Sequence, residues 1–341
     1  MDLAVLIPIK QYRYYFECLS KEEAAVYDTL LSGFLHYSKV IACHGCTVSQ
    51  VQKIYHFLKL DVPELFYIKN IRIRYLAENA PQCTVIPEYR FTISQSHDTL
   101  ISMSRHCKEL VDKYKQCSDL QKEKAIHDYI ATTVTYKDTE APYSHEAPGA
   151  ILYQIGVCEG IAKAFKYLSD QLGLQSIVVF GASNEQGNEG GHAWNLVRIN
   201  GAFYHIDTTF DTTISTSCIR YDYFNLSDAD IRSSHHWNNE LPECPRTYGM
   251  YEKMGCYFKR GRELASFIRN ASSVQKTIVF KLPRVFLDDE MIVASIKRLL
   301  QSNIRCGLQN YKQYSLTYNL QQLVFQVLGY YLTSLAGILG G

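Results

Sequence analysis

Apolar residues recur at helical spacing near the start of the chain. Val26, Leu30, Leu31 and Phe34 share one face of a 3.6-residue period. Ahead of them, Ser20-Lys-Glu-Glu23 is a capping box, in which Ser20 and Glu23 satisfy each other's orphan amides. Thr47-Val-Ser-Gln50 opens a second helix carrying Val51, Ile54, Phe57 and Leu58. The period then changes. Ile71-Arg-Ile-Arg-Tyr75 alternates apolar and basic residues as a half-buried strand does, and 83–91 is its partner, with Pro87 marking an edge or a break. A helical period returns over about 98–115. Ser118-Asp-Leu-Gln121 caps a further helix that passes through Ile126, Tyr129 and Ile130. Residues 137–149 hold two prolines and no period, which predicts a loop and the softest boundary in the chain. Towards the end, 277–282 reads as a strand and 288–300 as an amphipathic helix with acids at its start, followed by strands or a final helix.

The middle of the chain carries the chemistry. In 156–173, Gly-Val-Cys-Glu-Gly is followed by Ile161, Ala164, Phe165, Leu168 and Leu172 at helical spacing, and Gly173 suits the position past the C-cap. Cys158 therefore stands at or just before a helix N-terminus. Free amide donors and the positive end of the macrodipole favour a thiolate there. A Cys used only for packing has no need of that place. Residues 192–209 hold two alternating β-rich runs around Asn200-Gly201, a strong hairpin signal. A two-residue turn sets Ile199 opposite Ala202, Val197 opposite Tyr204, Trp194 opposite Asp207 and His192 opposite Thr209. His192 and Asp207 then project from one face as diagonal neighbours, roughly 7–8 Å apart at the backbone and within side-chain reach. A Cys at a helix start and a His–Asp pair on a hairpin make a thiol triad.

These motifs, Gly-Val-Cys158-Glu-Gly, Gly-His192-Ala-Trp-Asn and Tyr-His-Ile-Asp207-Thr-Thr-Phe-Asp, resemble the core of the transglutaminase-like superfamily over about 120–240. Tyr223-Phe-Asn-Leu-Ser-Asp228 and His236-Trp237 are similar to bacterial members. The resemblance implies an α+β protein with a papain-like, transglutaminase-like core at 118–245, a mainly helical N-terminal region at 1–117 and a smaller α/β region at 246–341. It implies Cys158 as nucleophile, His192 as general base and Asp207 as the acid that orients it. The activity expected is acyl-enzyme formation on Cys158 and hydrolysis of peptide or amide bonds. Protein-glutamine transamidation, acyl transfer of the arylamine acetyltransferase type and a non-catalytic interaction module are the alternatives. The backbone N–H of Cys158 is the natural first oxyanion donor. Gln154 and Trp194 are the candidates for a second donor or for the pocket wall. The mechanism calls for no metal or cofactor. The Gly-rich stretch 181–191 reads as a solvated connector between two strands, with a mobile flap as the alternative.

Composition narrows the remaining options. Hydrophobic residues at 47% and charged residues at 20% exclude wholesale disorder. Lys+Arg at 35 against Asp+Glu at 34 leaves a net charge of +1, so no nucleic-acid or anionic-membrane footprint follows; the expected partner is a peptide or protein substrate. Eleven Cys at scattered spacing suggest reduced thiols rather than a disulfide framework. The opening MDLAVLIPIKQYRYYF has no basic n-region and no small-residue cleavage site, which points away from a signal peptide and towards the cytoplasm. Positions 313–341 carry no charge, and the end of this tail is expected to be a buried strand or helix rather than a membrane anchor. Cys43-His-Gly-Cys46 lacks a second Cys pair at zinc-finger spacing and is read as chance; His235-His236 is read as a polar turn near the site. No Walker A, dinucleotide Gly motif or zinc-deaminase signature is present.

Overall fold

Helix Lys21–Leu35 begins under the Ser20/Glu23 capping box, and helix Val48–Asp61 under that of Thr47 and Gln50. Each buries the apolar stripe that its sequence carries, except that Phe57 is only half-buried. Beside them lies a three-stranded antiparallel sheet in the order Ile41–His44, Gln82–Tyr89, Ile68–Tyr75. Pro87 faces Ile71 in the central strand, past the last rung of its other neighbour, Ile41 opposite Val85. One side of the strand is free there, so the donor that proline lacks is tolerated. The next helix, Ile93–Tyr114, starts earlier than position 98 because Thr92 and Gln95 form a capping box of their own. Helix Asp119–Thr133 follows its Ser118/Gln121 box.

The computed structural model describes residues 3, 11–139, 143–185, 188–238, 240–272, 277–284, 288–307 and 313–330. They fall into two units, Met1–Ser215 with Asn225–Thr247, and Thr216–Phe224 with Tyr248–Gly341. The N-terminal region 1–117 thus shares a unit with the core. Buried ion pairs help join the two. Lys59 and Lys163 reach Glu146 at 2.8 and 2.9 Å, and Lys166 donates to the Tyr12 carbonyl at 2.8 Å and to Asp170 at 2.5 Å. The Glu146 site is nearly closed to solvent, and its carboxylate is shared by both lysines.

Helix Cys158–Leu172 runs through the middle of this unit and is buried along nearly its whole length. Gly173 ends it in the left-handed conformation at φ 67°. Its neighbour is a four-stranded antiparallel sheet in the order Ala202–Ile206, Asn188–Ile199, Ser176–Glu185, His235–His236. Asn195 of the second strand clamps helix to sheet, donating to the Ala162 carbonyl at 3.0 Å and the Ile177 carbonyl at 3.3 Å.

Two expectations for irregular chain are corrected. The loop at 137–149 ends in helix Ala147–Leu152, whose first turn accepts Pro148 because the pyrrolidine φ is already helical; 140–142 lie outside the described residues. The stretch 181–191 is not a connector. The strands run through it, with rungs continuing to Glu185 opposite Asn188, and only 186–187 lie outside the described residues. Gly181 is needed there for close approach, since a Cβ would come within 2.2 Å of the His236 carbonyl oxygen and 2.7 Å of the Trp194 ring.

The second unit pairs strand Val324–Tyr330 with both Thr277–Lys281 and Gln313–Asn319, antiparallel throughout. Helices Gly261–Ser272 and Asp289–Gly307 contribute Ile268 and Leu300 to a core with Phe280 and Phe325. Arg220 binds Asp222 through two nitrogens at 3.0 and 2.7 Å. The uncharged tail enters this unit as a strand with Val324, Phe325 and Val327 buried; 331–341 lie outside the described residues. Among the described residues, no helix is long and apolar enough to cross a membrane.

Candidate active site

Cys158 is the first residue of its helix and is half-buried. Val157 supplies the N-cap with extended backbone, so the Cys158 amide has no intrahelical acceptor. Gly160 lets the first turn press against a neighbouring loop, because a Cβ at that position would lie 2.4 Å from the Ser144 carbonyl oxygen. The Gly after Cys-Glu in the motif therefore serves close approach.

The hairpin forms in the expected register. Asn200 and Gly201 both have positive φ, 51° and 84°, and Ile199 pairs with Ala202 and Val197 with Tyr204. The ladder stops at Asn195 opposite Ile206, so the expected Trp194–Asp207 and His192–Thr209 rungs do not form. The chain instead turns into helix Thr208–Ile214, and Asp207 is its N-cap, with Oδ1 accepting the Phe210 amide at 3.0 Å. A carboxylate that caps a helix cannot also stay in the strand. The His–Asp pair survives this change. Nε2 of His192 lies 2.7 Å from Oδ2 of Asp207, and both residues are buried.

An ionised carboxylate only accepts, so Nε2 of His192 carries the hydrogen of that bond. The other partner of the ring is the Cys158 thiol, which leaves Nδ1 to face the sulfur. Burial opposes a charge on His192, but the Asp207 carboxylate and the thiol outweigh it and push the imidazole up to about 10. Burial likewise works against an ionised Asp207. The two imidazoles beside it prevail and hold the carboxyl well below the usual range. Trp194 stacks on His192 with centroids 5.9 Å apart and 19° between planes. Its indole N–H donates to Nδ1 of His205 at 3.0 Å, and Nε2 of His205 in turn donates to Asp228 at 2.8 Å.

The two remaining candidates sit differently. Trp194 is 1% exposed and its N–H is already committed to His205, so it is a wall beneath the imidazole rather than an oxyanion donor. Gln154 is exposed, with a left-handed φ of 56°, and its carbonyl accepts the Thr135 amide at 2.8 Å; its side chain has no hydrogen bond among the described residues. Exposure of this kind does not preorganise a donor. His235, expected in a polar turn near the site, lies on a strand instead, and its Nε2 is 2.9 Å from the same Oδ2 of Asp207. Its signal in the sequence was the Ser-Ser-His-His-Trp run, which alone cannot reveal that residues 235–236 add a strand beside Ala182 and Ser183.

Among the described residues, two groups of side chains have donor atoms close enough to hold a metal ion, His192 with Asp207 and His235, and His205 with Asp228 and Cys244. The protons argue for hydrogen bonding in both. Nδ1 of His205 already accepts from Trp194, so its Nε2 must carry hydrogen. In the first group both Nε2 atoms donate to Asp207.

Residues 108–208 match the family model of the transglutaminase-like superfamily, within a fold of mixed helix and strand. Among solved structures it is similar to a transglutaminase, at 15% identity over 58% of this chain and 60% of that one, with a TM-score of 0.30. It is similar also to a candidate cysteine protease from Cytophaga hutchinsonii, at 17% identity over 41% and 61% of the two chains and a TM-score of 0.25. A third is the periplasmic domain of TgpA from Pseudomonas aeruginosa bound to ethylmercury, at 13% identity over 42% and 63% and a TM-score of 0.24. The match spans about three fifths of the length of each of these chains. No curated protein matches.

Proposed function

We propose that this chain is a thiol enzyme that hydrolyses peptide or amide bonds through an acyl-enzyme on Cys158. The observation that carries the reading is His192 held between the Cys158 thiol and the Asp207 carboxylate. Nδ1 of His192 takes the thiol proton, and the imidazolium so formed is stabilised by Asp207. The thiolate adds to the carbonyl carbon, and the N1 amide of Cys158 donates to the oxygen as negative charge develops. The tetrahedral adduct collapses as His192 returns the proton to the leaving amine, giving a thioester. Water, deprotonated by the same nitrogen, then releases the acid and restores the thiol. An amine in place of water would give transamidation. The substrate is a peptide or protein carboxamide. The nucleophile has to stay reduced, and a reducing compartment such as the cytoplasm suits it; every described Cys is a free thiol.

The test is site-resolved alkylation with limiting iodoacetamide at about pH 6, where an ordinary thiol with a pKa near 8.5 is almost wholly protonated. Cys158 is expected to label first among the cysteines and to lose that lead in His192→Ala. Amide substrates with and without an added amine then separate hydrolysis from transfer. Equal labelling of Cys158 and other accessible thiols would overturn the reading in favour of a binding module.

A further inference from the structure

One oxygen of Asp207 serves two imidazoles, and the triad accounts for only one of them. His235 is fully buried on the two-residue strand His235–His236. Trp194 and Phe210 wall its ring, with centroids at 4.9 and 5.0 Å. Titratable groups acting on it include Asp207, His192, His205 and its neighbour His236. Its Nδ1 lies 2.7 Å from the Ser234 hydroxyl.

The proton positions follow from these partners. Asp207 can only accept, so Nε2 of His235 is an N–H. Burial favours the neutral ring over the pull of Asp207, and His192 and His236 add to it, so His235 stays below its ordinary pKa. Nδ1 is then bare and accepts the Ser234 hydroxyl hydrogen at 2.7 Å, in preference to the Ile231 carbonyl 3.2 Å from the same hydroxyl. Asp207 is thus held from three sides: the Phe210 amide on Oδ1, and His192 and His235 on Oδ2.

We propose that His235, set by Ser234, is a positioning residue that donates a second hydrogen bond to Oδ2 of Asp207 and keeps that carboxylate ionised and aligned against His192. This rests on the thiol-enzyme reading and deepens it. Without the His235 donor, a buried carboxylate loses one of its three partners, which is costly because water cannot replace it. Asp207 is then free to turn away from His192, and the thiolate–imidazolium pair is less populated.

The experiment compares Cys158 alkylation between pH 5 and 10 in the full chain and in His235→Leu and His235→Gln. The Gln amide can place an N–H near the position of Nε2. In His235→Leu, labelling at pH 6 is expected to fall roughly tenfold or more, with the acid limb of the profile moved up towards neutrality. His235→Gln should restore the rate to within a few-fold of the parent. An unchanged rate and profile in folded His235→Leu, or a loss that Gln does not rescue, would overturn the proposal. Nitrogen-15 histidine spectra of the unmodified chain test it without any variant: His235 is expected as the neutral Nε2–H tautomer, and an Nδ1–H or doubly protonated ring would overturn it. If Cys158 holds no lead in the parent chain, the thiol-enzyme reading itself fails, which is a different result from a parent lead that His235→Leu leaves intact.

Discussion

Two buried imidazole–carboxylate pairs use helix Thr208–Ile214 and its cap. His192 meets Asp207 at 2.7 Å, and His127 meets Asp211 at 3.0 Å. Burial opposes a charge on both rings, and both are nonetheless raised, to about 10 and about 9. They differ in what the second nitrogen does. Nδ1 of His127 lies 3.2 Å from Asp128, so carboxylates engage both nitrogens and the ring is a fixed cation that fastens helix Asp119–Thr133 to its neighbour. His192 has a carboxylate on one nitrogen and a thiol on the other. A high imidazole pKa alone therefore does not mark chemistry. What matters is whether a nitrogen is left to exchange a proton with a nucleophile.

The sharpest way to break this comparison is at the two carboxylates. Asp207→Asn should cut the rate of Cys158 acylation by about 10²–10⁴, because the amide can turn its N–H₂ towards the imidazole and select the wrong tautomer. Stopped-flow labelling measures it. His127→Leu should leave Cys158 labelling within a few-fold of the parent. It should instead cost about 3–5 kcal/mol of stability, since Asp211 would lose the buried cation beside it; denaturant unfolding reads that loss. The third expectation is smaller. His127 is raised from an unfolded value near 6.5, so its stabilisation is complete below pH 6.5 and lost as pH climbs through about 9, a change of about 3 kcal/mol. His192 adds a further loss at higher pH. Melting temperatures from pH 6 to 9 should therefore fall less steeply in His127→Leu than in the parent.

The same comparison indicates what could be read from residues alone. Cys158 was legible because a helical period and a C-terminal Gly locate the helix start, and His192 with Asp207 because Asn200-Gly201 fixes a register. Both signals are local. The break in the ladder at Asp207 was hidden, since Thr-Thr-Phe-Asp suits a strand as well as a helix and only the cap decides. His235 and Asp211 were hidden for a different reason. Their partners lie 28 and 84 residues away, and no period or turn records such a distance. The helix start at Ile93 is legible in the Thr92/Gln95 box.

The lysines buried under the Cys158 helix carry a further consequence. Lys166 gives a hydrogen bond to the carbonyl of Tyr12, and Glu146 takes one from Lys59, both far outside the span 108–208 that the family match covers. A chain cut to that span would strand an ammonium without its carbonyl acceptor, and it would lose Glu146's second lysine and every residue after 208. The Cys158 helix would keep the ion pairs of Lys163 and Lys166 with Glu146 and Asp170 but lose the hydrogen bonds that tie it to the N-terminal region. The stretch that carries the family's sequence mark is thus smaller than the stretch that must fold together, and excising it as an independent module would yield a helix with no stable seat for its thiol.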